Sequence, residues 1–379
     1  MSRNVRTAQI LFAVVACCGV AALASLPAQA ATDTGTDFRP SATVSAFTAT
    51  IIGTQSSEGF RVDLAYRGPE RYRSFTRNGQ ARGVTLNLEN RGLHQSGAGT
   101  RHRLSYALRT MGAIPAEPDG YSSMEYEVLN GVPSALARHR GGTTLLVDDV
   151  LNGVPTLRAE TPIAANDCAA LAAGTVTIWL DAQTLLPLRY RAVQGASLYD
   201  YTLRYTNLNK RPVLGTFAPL RARNSTTLNQ RFRRVSVASA AAHLPYAPML
   251  PGYLPAGFTR VATGWAPRSA VVGPEGSLPA APNLFAAVYK RGVERLDFTQ
   301  RSSTRALRRD WLKSDPFAGE CADVTMEDAI VSGHAARFGV GPTTVPHLFW
   351  INGRVLHTLS GPYPKAELVM IAESLAKAP

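Results

Sequence analysis

Cysteine is scarce. The chain of 379 residues holds four, and Cys17 and Cys18 lie within its first thirty residues. The other two, Cys168 in NDCAA and Cys321 in GECAD, have no cysteine or histidine at ligand spacing, which excludes a zinc module and a disulfide-dense scaffold. The seven histidines are scattered, and no HExxH or Cys/His cluster occurs. There is no G-x-S-x-G elbow and no Walker loop. Asp148-Asp149 is a carboxylate pair, but adjacent residues on a strand point to opposite faces and do not share a proton or a metal. These absences predict a protein that binds rather than catalyses, with no cofactor and no metal. Acids are also few, 27 against 40 Lys and Arg, for a formal charge of +13. Beyond residue 30 no apolar run is long enough to span a bilayer.

What is present begins with an export signal. MSRNVRTAQ carries Arg3 and Arg6, ILFAVVACCGVAALASL has no charge, and PAQA ends in small residues. A basic start, an apolar middle and an A-x-A-like end predict cleavage after Ala30 and a periplasmic or other extracytoplasmic location. A retained N-terminal anchor is one alternative. A lipid anchor at Cys17 is another, because Val14-Val15-Ala16-Cys17 has the form of a bacterial lipobox. The apolar run continues past Cys17, however, whereas lipobox cysteines end it. Loss of Arg3 and Arg6 with the leader lowers +13 by two, to +11. In an exported chain that charge suits anionic lipid head groups or an acidic partner rather than nucleic acid, at about 1 kcal/mol per cation near an anionic surface. A solvated basic face is the plainer reading. Export also makes Cys168 and Cys321 a candidate disulfide, whose pairing the sequence leaves open.

From residue 43 the pattern has period two. Phe60, Val62, Leu64 and Tyr66 alternate with Arg61, Asp63, Ala65 and Arg67, a strand with one buried face, and Arg67 to Glu70 turns into a return strand in RYRSF. LSYALRTMGA (104–113) is expected to be a short helix. VLNGVP occurs at 128–133 and again at 150–155. Asn-Gly between apolar neighbours favours a tight turn, so each copy is expected to be a hairpin corner of one antiparallel meander. Val176, Ile178 and Leu180 share a face, 182–186 turn the chain, and Leu188, Tyr190 and Ala192 share a face on the next strand. Pro187, without a ladder donor, should open that strand or lie at an edge. Tyr199, Tyr201, Leu203 and Tyr205 then make an aromatic stripe backed by Asp200, Thr202, Arg204 and Thr206. Residues 221–250 turn basic, then Ala- and Pro-rich, and mark a domain boundary. Beyond it come hairpins at Arg291-Gly292 and Asn352-Gly353. A final helix follows in PKAELVMIAESLAK, with Leu368, Ile371 and Leu375 as its apolar stripe.

TIWLDAQTLLPLRYRAV resembles a segment of the LolA/RseB-like superfamily, in which an apolar "lWiD" strand, a turn and "lPlr" follow one another. GPERYR (68–73), DVLNGVPTLRAETP and YTNLNKRPVLGTF are similar to further pieces of that family in the expected order, over roughly residues 43 to 220. LPAGF (254–258) resembles the opening of the second domain of RseB/MucB-type regulators. LFWINGRVLHTLSGPYPKAELVMIAESL resembles a domain appended to LolA-like proteins. With the signal peptide (1–30) and a linker (226–250) read from the residues themselves, the resemblance implies an α+β chain with a half-open antiparallel β-barrel (31–225) and a smaller α+β domain (251–379). It also implies an apolar hollow that holds a lipid or lipoprotein acyl chain, lined by Ile178, Leu180, Leu188, Tyr190, Tyr199, Tyr201 and Tyr205. The implied alternative is a regulator that binds the extracytoplasmic part of a membrane-anchored anti-sigma factor. Relatives open with an amphipathic helix, and residues 31–42 carry no such pattern.

Overall fold

Alternation of apolar and polar residues along the front of the chain produces long strands that pair with their sequence neighbours. The structure is a computed structural model describing residues 44–55, 58–67, 70–77, 80–88, 92–97, 100–105, 123–165, 172–210, 227–229, 233–269, 281–292, 294–303, 324–342 and 344–377. A first run gives β1 (Ala46–Gln55), β2 (Glu58–Arg67), β3 (Glu70–Arg77), β4 (Gln80–Leu88), β5 (Gly92–Gly97) and β6 (Thr100–Ser105). Helix α1 (Ser123–Arg140) follows. A second run gives β7 (Leu146–Leu151), β8 (Val154–Ile163), β9 (Gly174–Asp181), β10 (Pro187–Gln194), β11 (Ser197–Thr206) and the short β12 (Thr227–Asn229). β11 returns beside β1, so the two meanders fuse into one twelve-stranded sheet ordered β12-β6-β5-β4-β3-β2-β1-β11-β10-β9-β8-β7. Pairing is antiparallel except between β12 and β6. The sheet is open: β7 and β12 end it, and among the described residues no ladder closes it into a barrel.

The rest of the chain builds a second sheet of eight strands. Its members are β13 (Arg233–Arg234), β15 (Thr259–Ser269), β16 (Ala281–Arg291), β17 (Glu294–Ser302), β18 (Thr325–Val331), β19 (His334–Val340), β20 (His347–Asn352) and β21 (Val355–Ser360). β14 (Met249–Pro251) pairs separately with β22 (Leu375–Lys377). Among the described residues, helices α2 (Val237–Ala241) and α3 (Lys365–Glu373) accompany it. Phe285, Leu296, Phe298, Leu348, Trp350 and Leu359 form its core, joined by Leu368 and Ile371 of α3.

Turn chemistry explains the hairpins. Asn152 and Gly153 both have positive φ, at 52° and 81°, as the two central residues of a type I′ turn require. At the β20–β21 corner only Gly353 is positive, at 59°, because the chain turns on Gly353 and Arg354 and Asn352 still belongs to the strand. Pro187 opens β10 as expected.

Three expectations are corrected. The first VLNGVP, at 128–133, is not a hairpin corner but lies inside α1, with Pro133 in the helix interior. Local turn preference yields there to packing: Val132, Ala135 and Leu136 join the core of the first sheet. The final helix stops at Glu373, Pro364 is its N-cap, and Leu375 reaches the core from β22 rather than from the helix. Within LSYALRTMGA, Leu104 and Ser105 belong to β6, and the remaining residues lie outside those described.

His357 gives the second sheet a pH dependence. Its ring is buried, stacked on Trp350 at 4.9 Å and 11°, and Nδ1 has no hydrogen-bond partner among the described residues. Burial, helped by nearby His334, pushes its pKa down from the usual 6.5 to about 4. Between those values the unfolded chain holds the proton and the folded chain does not, so acid favours unfolding. The stabilisation present above pH 6.5 should be lost as pH falls toward 4, by about 3 kcal/mol in all. Urea unfolding of wild type and His357→Phe across that range tests this. The variant should show a flatter profile, and equal slopes would exclude His357 as the source.

Candidate functional site

The apolar face of the first sheet is one lateral row after another. In register, Phe60 of β2 faces Gly53 of β1, Gly53 faces Tyr201, Tyr201 faces Tyr190, Tyr190 faces Ile178, Ile178 faces Ala159, and Ala159 faces Leu146. Opposed residues of an antiparallel pair share a face, so this row crosses the sheet on one side. Gly53 is needed within it. A Cβ there would lie 2.2 Å from the Asp200 carbonyl oxygen and 2.8 Å from Tyr201 Cδ1. Its absence lets the Tyr201 ring stack on Tyr190 at 5.4 Å and meet Phe60 edge-on at 4.9 Å.

The chain reverses between β9 and β10 without a functional group, and the reason is local. Asp181 Oδ1 accepts from the backbone N–H of Gln183 at 3.0 Å and of Thr184 at 2.8 Å, and from the Thr184 hydroxyl at 2.8 Å. One carboxylate oxygen therefore satisfies the turn's donors. Leu185 sits at φ 58°, and the LDAQTLLPLR stretch is a structural corner.

The residues singled out for a hollow lie as follows. Ile178, Leu180, Tyr190 and Tyr201 are buried in a single core cluster, with Tyr199 and Tyr205 packed against it. The Tyr205 hydroxyl donates to the Pro187 carbonyl at 2.8 Å, and burial raises its pKa. Tyr205 also meets Phe47 edge-on at 5.1 Å, in a neighbouring cluster with Val44 and Leu64. Leu188 stands apart: the register slips between Pro187 and Arg189, so it is the extra residue of a bulge and only half-buried. Cys168 and Cys321 lie outside the described residues.

Helix α1 covers this face, and sequence reasoning missed it. Val132, Ala135, Leu136 and His139 recur at helical spacing on one side; the first three enter the cluster, and His139 Nδ1 accepts from the Leu146 N–H at 3.3 Å. The opposite side meets the second sheet. Ser134 Oγ donates to the Gly341 carbonyl. Arg140 donates to the Pro362 carbonyl at 2.6 Å and to Glu294 at 2.7 Å, with its guanidinium 4.5 Å from the Tyr363 ring centre. Glu294, 1 % exposed, also takes Arg291 at 2.7 Å, and Arg291 lies 5.0 Å from the Phe258 ring centre. The helix ends in a Schellman turn: Thr143 N–H bonds Arg138 O, Gly142 N–H bonds His139 O, and Gly142 has φ 70°. The legible signal was Arg138, His139 and Arg140 followed by Gly141-Gly142, a basic last turn and a glycine stop.

The other face of the sheet is polar. Trp179 Nε1 donates to Asp149 at 3.1 Å, Arg158 reaches the same carboxylate at 3.1 Å, and Arg189 lies over Trp179 while bonding Asp200 at 2.9 and 2.6 Å. The Val150 N–H, Trp179 and Arg158 together hold Asp149 below the usual carboxylate range. Asp148 points the other way and is exposed. Apolar exposure concentrates at the hairpin that ends the sheet, where Leu145 is 72 % and Val150 65 % exposed, joined by Val147 and Val154. Among the described residues no helix is long and apolar enough to cross a membrane.

No family model and no curated protein matches the chain. Among solved structures, MucB in complex with MucA(peri) is 14 % identical, over 88 % of this chain and 94 % of that one, with a TM-score of 0.31. MucB alone is 12 % identical, over 88 % and 93 %, with the same score.

Proposed function

We propose that this chain is an exported, non-enzymatic envelope protein that binds a lipid or lipoprotein acyl chain on the apolar face of its first sheet, beneath α1. The carrying observation is the uninterrupted apolar row from Phe60 to Leu146, covered on β7–β10 by one helix that contributes Val132, Ala135 and Leu136. An acyl chain is chemically equivalent to those side chains and competes for the same surface. Burying about a dozen methylenes at about 0.8 kcal/mol each gives roughly 10 kcal/mol of gross driving force. Ordering and helix displacement consume part of it, leaving an affinity that permits release. The basic charge suits approach to anionic head groups. In this reading the leader is cleaved after Ala30, and the two sheets act as two domains divided near residues 226–250.

Native mass spectrometry of protein purified from its own host tests the reading. Adducts of fatty-acyl mass that dissociate on activation are expected. A bare mass, together with no uptake of an added long-chain fatty acid, would count against it.

A second reading is favoured by the exposed hairpin of β7 and β8. Leu145, Val147 and Val150 are exposed beside or along the edge strand β7, and Val154 is exposed on its hairpin partner β8. An unpaired strand edge flanked by exposed apolar side chains is the kind of surface that receives a partner strand. As a regulator, the chain would grip the extracytoplasmic segment of a membrane-anchored anti-sigma factor there. Recovery of a single-span membrane protein by wild type, lost in Val147→Asp with Val150→Asp, supports this reading.

A further inference from the structure

We propose that α1 is an autoinhibitory plug, and that the second sheet sets how firmly it is seated. The proposal rests on the acyl-binding reading, because the surface an acyl chain must reach is the one α1 occupies. Ile178 is 2 % and Leu180 0 % exposed in the cluster that Val132, Ala135 and Leu136 complete. A chain entering there displaces those three side chains.

The helix has little intrinsic reason to stay. Asn130, Gly131 and Pro133 are poor helix formers in mid-helix, and proline removes a backbone donor and crowds the preceding turn. The identical hexapeptide at 150–155 is a hairpin, so the segment has a non-helical alternative of its own. Tertiary contacts hold it, on two sides at once.

The side away from the first sheet is a clamp. Arg140 is fixed by the Pro362 carbonyl, the Glu294 carboxylate and the Tyr363 ring, and Ser134 by the Gly341 carbonyl. Gly141 brings the backbone close to Pro364, where a Cβ would lie 3.2 Å from the proline Cβ. Glu294 belongs to the second sheet, Gly341 to the connection between its strands β19 and β20, and Pro362, Tyr363 and Pro364 to the segment leading into α3. Lifting α1 from β8–β10 breaks them, and loosening them frees α1. Acyl binding on the first sheet and any event that disturbs the Glu294 corner of the second are therefore linked, and the linkage is reciprocal. The sealed state lowers the apparent acyl affinity by the fraction of molecules in which the plug is out.

The test compares full-length wild type, the double variant Arg140→Met with Ser134→Ala, and Arg189→Met, which breaks a bridge on the far face of the first sheet. Hydrogen exchange is followed by mass spectrometry, and a fluorescent C16 fatty acid is titrated into each protein. In the double variant, amides 132–140 should exchange about tenfold faster with β8–β10 unchanged, and the fatty acid should bind roughly tenfold tighter. Arg189→Met should match wild type in both. Unchanged exchange in α1, or exchange raised equally in β8–β10, overturns the clamp. Faster α1 exchange with unaltered affinity for a fatty acid that wild type binds overturns the linkage alone. Fatty acid bound by neither protein overturns the acyl reading, and the linkage with it.

Discussion

Tyr201→Ala should lower the unfolding free energy by about 3–5 kcal/mol, the usual range for deleting a large buried aromatic. Tyr201 is 0 % exposed and stands midway along the apolar row. Its ring touches Tyr190, Phe60 and Tyr199, with centroids 5.4, 4.9 and 6.4 Å away. Those partners lie on β10, β2 and β11, so the void opens where the two meanders of the sheet meet. Gly53 makes the loss hard to repair. The floor directly beneath the ring is bare backbone at Gly53, so β1 has no side chain at that position to fill the space. Tyr201→Phe keeps the ring and should lose far less. Urea unfolding of both variants measures the difference, and a loss below about 1 kcal/mol in the alanine variant would mean the row is not a packed core.

Much of this face was legible because period-two alternation is local and strong. Ile178, Leu180, Tyr190 and Tyr201 announce a buried side without knowledge of their partners, and all four lie in one cluster. The Asn152-Gly153 corner and the opening position of Pro187 followed from φ preference and a missing donor. What the alternation could not reveal was what covers the face. For α1 the local signals pointed the other way, since Asn-Gly and Pro read as a turn at 128–133 for the same reasons that they make one at 150–155. The deciding term is the burial of Val132, Ala135 and Leu136 against the first sheet, a long-range quantity absent from any hexapeptide. Glu294 and Arg140 were invisible for a similar reason. They stand 154 positions apart, and nothing about a charged residue in sequence tells whether it will be buried with a partner.

Glu294→Ala should destabilise the protein by about 3–5 kcal/mol, the range for removing one member of a buried ion pair. The Glu294 side chain is 1 % exposed, and its two oxygens serve two guanidiniums, Arg140 at 2.7 Å and Arg291 at 2.7 Å. Those guanidiniums are themselves 12 % and 7 % exposed, so water replaces the lost carboxylate poorly. Replacing all three charged residues with methionine should be much milder than the single change, because the desolvation of the ions disappears together with their attraction. The contrast is Asp328→Ala. Its bridge to Arg337 is as short, 2.6 Å, but the aspartate is 89 % exposed, and such pairs contribute about 0–1 kcal/mol. Chemical unfolding of the three proteins decides the matter. A Glu294→Ala loss no larger than that of Asp328→Ala would show that solvent reaches the corner where α1 meets the second sheet, and Arg140 would then be a surface contact rather than a clamp.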